Sequence, residues 1–304
     1  MAIKQDVVAG TVHMSMATMI DKLAHHILTE EERRKASKIY YPVLVTPLSK
    51  LAVREVSATE FDYLSVVGSL LHLANCVRCD VAFAVGCLAR YSNTPGRAHV
   101  NAVKRVVQYL YNTKTMGIRF SRNLGGEDGH KMDAVCYENA QHPDEILKIF
   151  ADSDYAMDYT KKSTMGVVIM LNGGPVSWTS VIGKTVATST CEAEINAAVS
   201  AVKDAIHLKL MLVELGLMDD AMPMKILEDN SACIAQTSQG LRHVRNAKHY
   251  EVKLRFLQQR VISNEVDFVY CPTDEQLADF VTKPLDETKF VGFRKMIMCD
   301  VPAS

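Results

Sequence analysis

"LKIFADSDYAMD", residues 147–158, runs through Leu147, Ile149 and Phe150 and then sets down Asp152, Asp154 and Asp158 within seven residues. An apolar opening followed by acids predicts a β-strand whose end carries carboxylates. Strand side chains alternate, so Asp152 and Asp154 share one face for as long as the strand stays extended. One such Asp could simply cap a turn. Its meaning depends on whether acids from elsewhere in the chain reach the same place.

Downstream, "TMGVVIMLNGGPVSWTS" reads as two β-rich runs around Asn172-Gly173-Gly174, a hairpin signal. A long helix is expected from Thr190 to Leu215, closed by Gly216. "PMKILED" reads as a strand, "NSACIAQTS" as a short helix, "NAKHYEVKLRFLQQRVIS" as a longer one, "EVDFVYC" as the last strand and "DEQLADFVTK" as the last helix. The order β-β-β-α-β-α-α-β-α predicts a mixed sheet with helices packed on it.

The long helix offers two acids, Glu192 and Glu194, about 200° apart around the axis, so only one of them faces inward. Glu192 shares its face with Asn196, Ser200, Lys203 and His207, a wet side. Glu194 lines up with Ala198, Ala201 and Ala205 beside the apolar stripe Ile195, Val199 and Val202, and is the acid a packed helix holds against the sheet. Asp229 ends "MKILED" just before a helix, where an N-cap is the ordinary job. Asp279 lies in "QLADFVTK" and could be solvated. Each has a bland explanation alone; together they form a constellation. Gathered carboxylates repel and hold protons unless cations neutralise them. All-oxygen ligation favours Mg²⁺ or Mn²⁺, and two such ions about 4 Å apart can activate water and stabilise the leaving oxygen of a phosphodiester. No Ser-His-Asp order, P-loop or GxGxxG competes for the chemistry.

The chain has 304 residues, enough for two domains, and its 48% hydrophobic and 23% charged content fits a soluble globular protein. It contains no run of ~18 apolar residues and no signal-peptide pattern at its start. An intracellular protein, in cytoplasm or nucleus and without a membrane partner, is expected. Of eight cysteines only Cys76 and Cys79 form a CxxC, with no second pair at zinc-finger spacing, so zinc is set aside. The net charge of −1 hides an asymmetry: residues 1–121 hold 15 Lys and Arg against 9 Asp and Glu, the remainder 19 against 26. Seven basic residues and no acid lie between Val81 and Gly126, which suits a polyanion or a solvated helix face.

The first half reads as mostly helical. "MSMATMIDKLAHHIL" has helical spacing, "SATEFDYLSVVGSLLHLANC" opens with a capping-box signature at Ser57 and Glu60, and "CDVAFAVGCLARYSN" continues the pattern. "TPGRAHVNAVKRVVQYLYNT" sets Val100, Val103, Val107 and Leu110 on one side, leaving Arg97, Lys104 and Arg105 to meet a partner; "MGIRFS" is a short strand.

These motifs resemble a known family. "ADSDYA", "KKSTMGVVIMLNGGPVSWTS", "VATSTCEAEINAAVSAVKDAIHLKLMLVELG", "LEDNSACI", "KHYEVKLRFL" and "CPTDEQLADFVTKPL" are similar to the ribonuclease H domain of copia-type retrotransposon Pol polyproteins. Residues 62–120, "DYLSVVGSLLHL…MGIRF", resemble the thumb-like end of the same family's reverse transcriptase. The resemblance implies an α/β ribonuclease H-like fold, a mixed five-stranded sheet with flanking helices, preceded by a mostly helical thumb-like region. It implies a helical, basic reverse-transcriptase remnant over 1–121, a linker over 122–146, a ribonuclease H-like domain over 147–285 and a C-terminal tail over 286–304.

It further implies cleavage of the RNA strand of an RNA–DNA hybrid with two Mg²⁺ ions, Mn²⁺ being an alternative, and other parts of a Pol polyprotein as partners. Carried over by motif, the catalytic and metal-binding acids are Asp152, Glu194, Asp229 and Asp279; Asp152 bridges both metals, Glu194 and Asp229 hold one and Asp279 the other. The chain departs from the family at Tyr155, usually Trp, at Val77-Arg78-Cys79-Asp80, usually TRPD, and at Glu251, Leu254 and Arg255. The polymerase run apolar–Tyr–x–Asp–Asp occurs nowhere, so DNA synthesis by this chain alone is not expected. His243 and His249, with Arg242, Arg245, Lys248, Lys253 and Arg255, read as a phosphate-contacting segment or a solvated basic helix; the single Trp178 reads as core. The alternatives to a hybrid nuclease are a fragment that binds nucleic acid without cutting it and a DNA nuclease of the same superfamily.

Overall fold

In the structure, a computed structural model that describes residues 1–42, 60–121, 147–158, 160–240 and 249–301, the chain divides into two compact units. One is Met1–Asn123 together with Lys283–Ser304, the other Leu124–Thr282. Residues 122–146, read as a linker, and Ser57 of the expected capping box lie outside the described residues.

In the first unit, strands β1 (Ala2–Asp6) and β2 (Thr11–Ser15) pair antiparallel. With β3 (Met116–Ser121) and β9 (Cys299–Asp300) they form a four-stranded sheet in the order β1-β2-β3-β9. Around it stand α1 (Ala17–Ile27), α2 (Glu30–Lys35), α3 (Tyr63–Cys76), α4 (Ala82–Ala89), α5 (Arg97–Asn112) and α10 (Glu287–Ile297). The first half is mostly helical among its described residues, as expected, but the first helix begins later than its spacing suggested: α1 starts only at Ala17, and residues 11–15 are a strand held on both sides. The partner β3 lies far along the chain, beyond the reach of a local spacing argument. Helix α3 is capped by Asp62, which accepts the Ser65 N–H, while Glu60 pairs with Lys104. Within 286–304, read as a tail, Glu287–Ile297 form α10 and Cys299–Asp300 form β9, and α10 buries Phe290, Phe293 and Ile297.

The Val77–Asp80 turn, a departure from the family pattern, keeps its charged pair. Arg78 is fully buried and gives Asp80 two hydrogen bonds, at 2.9 and 2.6 Å. It also donates to the Thr113 carbonyl and hydroxyl, and the Tyr109 hydroxyl donates to Asp80. Arg294 of α10 reaches the Tyr40 carbonyl and the Tyr109 hydroxyl.

The second unit is a five-stranded sheet, β6-β5-β4-β7-β8, of β4 (Leu147–Asp154), β5 (Thr164–Leu171), β6 (Gly174–Ile182), β7 (Met224–Glu228) and β8 (Val266–Tyr270). The first three are antiparallel neighbours; β7 and β8 run parallel to β4, so the sheet is mixed as the resemblance implied. Asn172 (φ 50°) and Gly173 (φ 79°) make the β5–β6 turn, both in the left-handed region that a two-residue hairpin demands. The helices are α6 (Thr190–Glu214), α7 (Ser231–Ser238), α8 (Glu251–Ile262) and the single turn α9 (Asp279–Thr282). The face of β4 that carries Leu147, Ile149 and Ala151 packs on Ile195, Ala198 and Val202 of α6. Trp178, read as core, is only half-buried, because β6 is an edge strand. Among the described residues no helix is long and apolar enough to cross a membrane.

Candidate active site

Asp152 lies near the end of β4, two positions past the last β4–β7 pair at Phe150 and Leu227, and is 2% exposed. The strand is therefore still paired to β5, Asp152 opposite Gly166, but has parted from β7. That divergence opens the carboxyl ends of two parallel strands, the usual place for a site in a sheet of this kind.

Opposite Asp152 only a glycine fits. A Cβ on Gly166 would stand 2.3 Å from Thr282 Cγ2 and 3.0 Å from the Ala278 carbonyl oxygen. This close approach lets α9 lie on β5 with Thr282 Oγ1 2.5 Å from Asp152 Oδ2. Gln276 anchors the approach to α9, its amide donating to the carbonyls of Ala151 and Leu227, one on each diverging strand. Asp279, the first residue of α9, is fully buried rather than solvated, in the turn whose Thr282 meets Asp152.

Helix α6 supplies Glu194, 7% exposed, on the face predicted for it. Burial, then the charges of Glu228, Asp152 and Asp229, pushes its carboxyl far above the usual carboxylate range. Asp152, Asp229 and Glu228 are thus each within electrostatic reach of Glu194. Glu192, expected on the wet side, is also buried, at 6%. Ser189 caps the helix by accepting the Glu192 N–H, and Glu192 Oε2 turns back to accept the Thr188 N–H (2.6 Å) and hydroxyl (3.0 Å). His249 Nε2 approaches the same oxygen at 3.2 Å, so Glu192 serves the helix start and holds His249.

Asp229 is released from the capping role. Asn230 caps α7, its side-chain oxygen accepting the Ala232 and Cys233 N–H groups at 3.0 and 3.1 Å. Asp229 Oδ2 instead accepts the Thr273 hydroxyl at 2.8 Å.

Sequence reasoning missed Glu228. Its side chain is fully buried, and its carboxyl is pushed up by burial first and then by Asp152 and Asp229, against the opposing Asn230 N–H hydrogen bond. The signal was present: an even-numbered position of β7, in step with buried Met224 and Ile226.

The donor set suits a hard divalent cation. Glu194 Oε2 and Glu228 Oε2 are buried with no N–H or O–H donor among the described residues, and all the acids offer oxygen alone. Among the described residues no three potential ligands stand in a ready-made metal cage, and Asp152 and Asp229 are held by threonine hydroxyls. Ligation here would come with side-chain rotation.

The basic residues fare differently. Arg97 is exposed at the start of α5. Lys104 is engaged by Glu32 (3.0 Å) and Glu60 (2.5 Å), and Arg105 stacks over the Tyr41 ring at 4.8 Å. Neither has the free side chain the sequence suggested, since the facing acids of Lys104 and the facing ring of Arg105 arrive from distant segments. Arg242, Arg245 and Lys248, with His243, lie outside the described residues. Lys253 donates to Asn196 Oδ1, and Arg255 pairs with Glu251 along α8.

Over 264 residues, 86% of its length, the chain is 33% identical to the retrovirus-related Pol polyprotein from transposon TNT 1-94 of Nicotiana tabacum. Over 279 residues, 91% of its length, it is 30% identical to that from transposon RE2 of Arabidopsis thaliana. The chain belongs to the copia-type Pol polyproteins. It spans 18% of the length of each of these two relatives. No protein-family profile matches this Pol segment. By strand order and direction its second unit has a ribonuclease H-like fold, and the chain is similar to the solved structure of LC11-RNase H1, isolated from compost. That match has 22% identity and a TM-score of 0.35, and covers 45% of this chain and 91% of that one.

Proposed function

We propose that this Pol segment is a metal-dependent ribonuclease H that cuts the RNA strand of RNA–DNA hybrids, with Asp152, Glu194, Asp229 and Asp279 as its catalytic acids. The observation that carries the reading is the acid group of buried Asp152 and Glu194 with half-buried Asp229, gathered from a strand, a helix and a second strand's end, with the Glu194 carboxyl driven far above its ordinary range. A protein keeps so costly an arrangement where cations relieve it. Two Mg²⁺ ions, or Mn²⁺, bound by these acids would supply an activated water and stabilise the leaving oxygen.

The chain's own contribution is positional. Asp152 is fixed by Thr282 and Asp229 by Thr273, so two acids are held by hydrogen bonds that do not depend on the substrate, and Gln276 anchors the segment that leads to Asp279. Burial keeps bulk water from screening Asp152 and Asp279. The choice of hybrid rests on the family relationship, and the polyprotein's other parts are the partners it implies; exposed Arg97, with Arg242, Arg245 and Lys248, is proposed to meet phosphates.

The test uses labelled RNA–DNA hybrid, duplex RNA and duplex DNA, each with Mg²⁺ and with chelator, beside Asp152→Asn. Hybrid cutting that disappears with chelator and in the variant is expected. Tight binding without cutting would assign a nucleic-acid-binding role, and cutting of duplex DNA a different nuclease.

A further inference from the structure

Glu228 stands outside the four-acid set, yet is as deeply buried as any acid among the described residues. Its Oε1 accepts the Asn230 N–H at 3.1 Å, and its Oε2 has no N–H or O–H donor among the described residues. Glu194 Oε2 is in the same condition. Strand alternation sets Glu228 on the Met224 and Ile226 face, which α6 covers, the face from which Glu194 descends. Asp229 beside it takes the other face. Of the charges acting on Glu194, that of Glu228 is the strongest. The groups acting on Glu228 are two acids, a backbone N–H and the Cys233 thiol, a weak donor; no Lys, Arg or His figures among them. Two buried carboxylates within electrostatic reach, each with an oxygen that no N–H or O–H among the described residues satisfies, call for a cation.

We propose that Glu228 is a fifth carboxylate of the cation centre, opposite Glu194, and that its charge raises the affinity of the site for a divalent ion. This rests on reading the acid group as a divalent-metal centre. A merely structural Glu228 would hold the Asn230 N–H and nothing more, a task that the Gln side chain performs equally well.

The experiment is calorimetric binding of Mn²⁺ to the full chain, without nucleic acid, for the unaltered protein and for Glu228→Gln, Glu228→Asp and Asp152→Asn. Melting in chelator reports folding of each. Glu228→Gln is expected to bind Mn²⁺ tenfold or more weakly, on the order of the loss that follows removal of groups supporting a metal site. Glu228→Asp, with the charge kept, is expected to stay within about threefold of the unaltered protein, well inside that loss. Binding by Glu228→Gln equal to that of the unaltered protein, while Asp152→Asn is weakened, overturns this inference alone. Should Glu228→Gln fail to fold, Glu228→Asp decides: affinity near that of the unaltered protein supports the role of charge, and a tenfold loss overturns it. Absence of Mn²⁺ binding by the unaltered protein overturns the metal-centre reading, and the inference with it.

Discussion

Thr282 shows how much a single hydroxyl can carry. It is the direct hydrogen-bond link between α9 and the Asp152 carboxylate. Thr282→Val keeps the shape and removes the donor; hybrid cleavage is expected to fall about tenfold, with stability changed by roughly 1 kcal/mol, the net worth of such a bond. Steady-state cleavage and urea melts measure both. Asp80→Ala is the contrasting case, because it leaves the Arg78 guanidinium buried and unpaired. It is expected to cost about 3–5 kcal/mol, seen in the urea midpoint of the first unit. At this scale the sequence spoke unevenly. Asp152 and Glu194 declared themselves through strand alternation and the helical stripe. Glu192 misled, because its burial comes from turning back to Thr188 and His249, contacts that a helical wheel does not contain. Glu228 was hidden because two acids ending a strand look alike until α6 and α7 cover one of them.

Elements were easier to read than their ends. The β-β-β-α-β-α-α-β-α order of the second unit follows from periodicity and turn residues, and the structure has the same order. The cap of α7 falls one residue after Asp229, a difference spacing cannot decide and the site depends on, since it frees Asp229 for Thr273. Asn230→Ala is expected to lower stability by about 1 kcal/mol, as loss of a cap does, and Asn230→Asp to restore it; thermal melts distinguish them. In the first unit β2 and β9 were missed because each is short and pairs with the distant β3, and β1 was missed with its neighbour β2. Gly166 is the element-scale weak point. Gly166→Ala must push α9 off β5, with an expected cost of about 1–3 kcal/mol from overpacking and a loss of cleavage greater than that of Thr282→Val.

For the molecule as a whole, acidity is the revealing variable. Glu194 and Glu228 have folded values raised above their unfolded ones, so between the two values the native state binds more protons than the unfolded state. Stability therefore falls as pH rises above the unfolded carboxylate value of about 4.3, and the loss ends only when the folded groups ionise. Melting in chelator at pH 5, 7 and 8 is expected to decline in that order, and added Mg²⁺ to restore more at the highest pH. A flat profile in chelator would contradict the burial of these two acids. The division into units has its own consequence for how the protein is made. The first unit takes its last strand and helix from the end of the chain, whereas the second is complete by Thr282. On a ribosome the acid-bearing unit can mature while the unit that started first still waits for α10 and β9. Translation order and completion order are reversed.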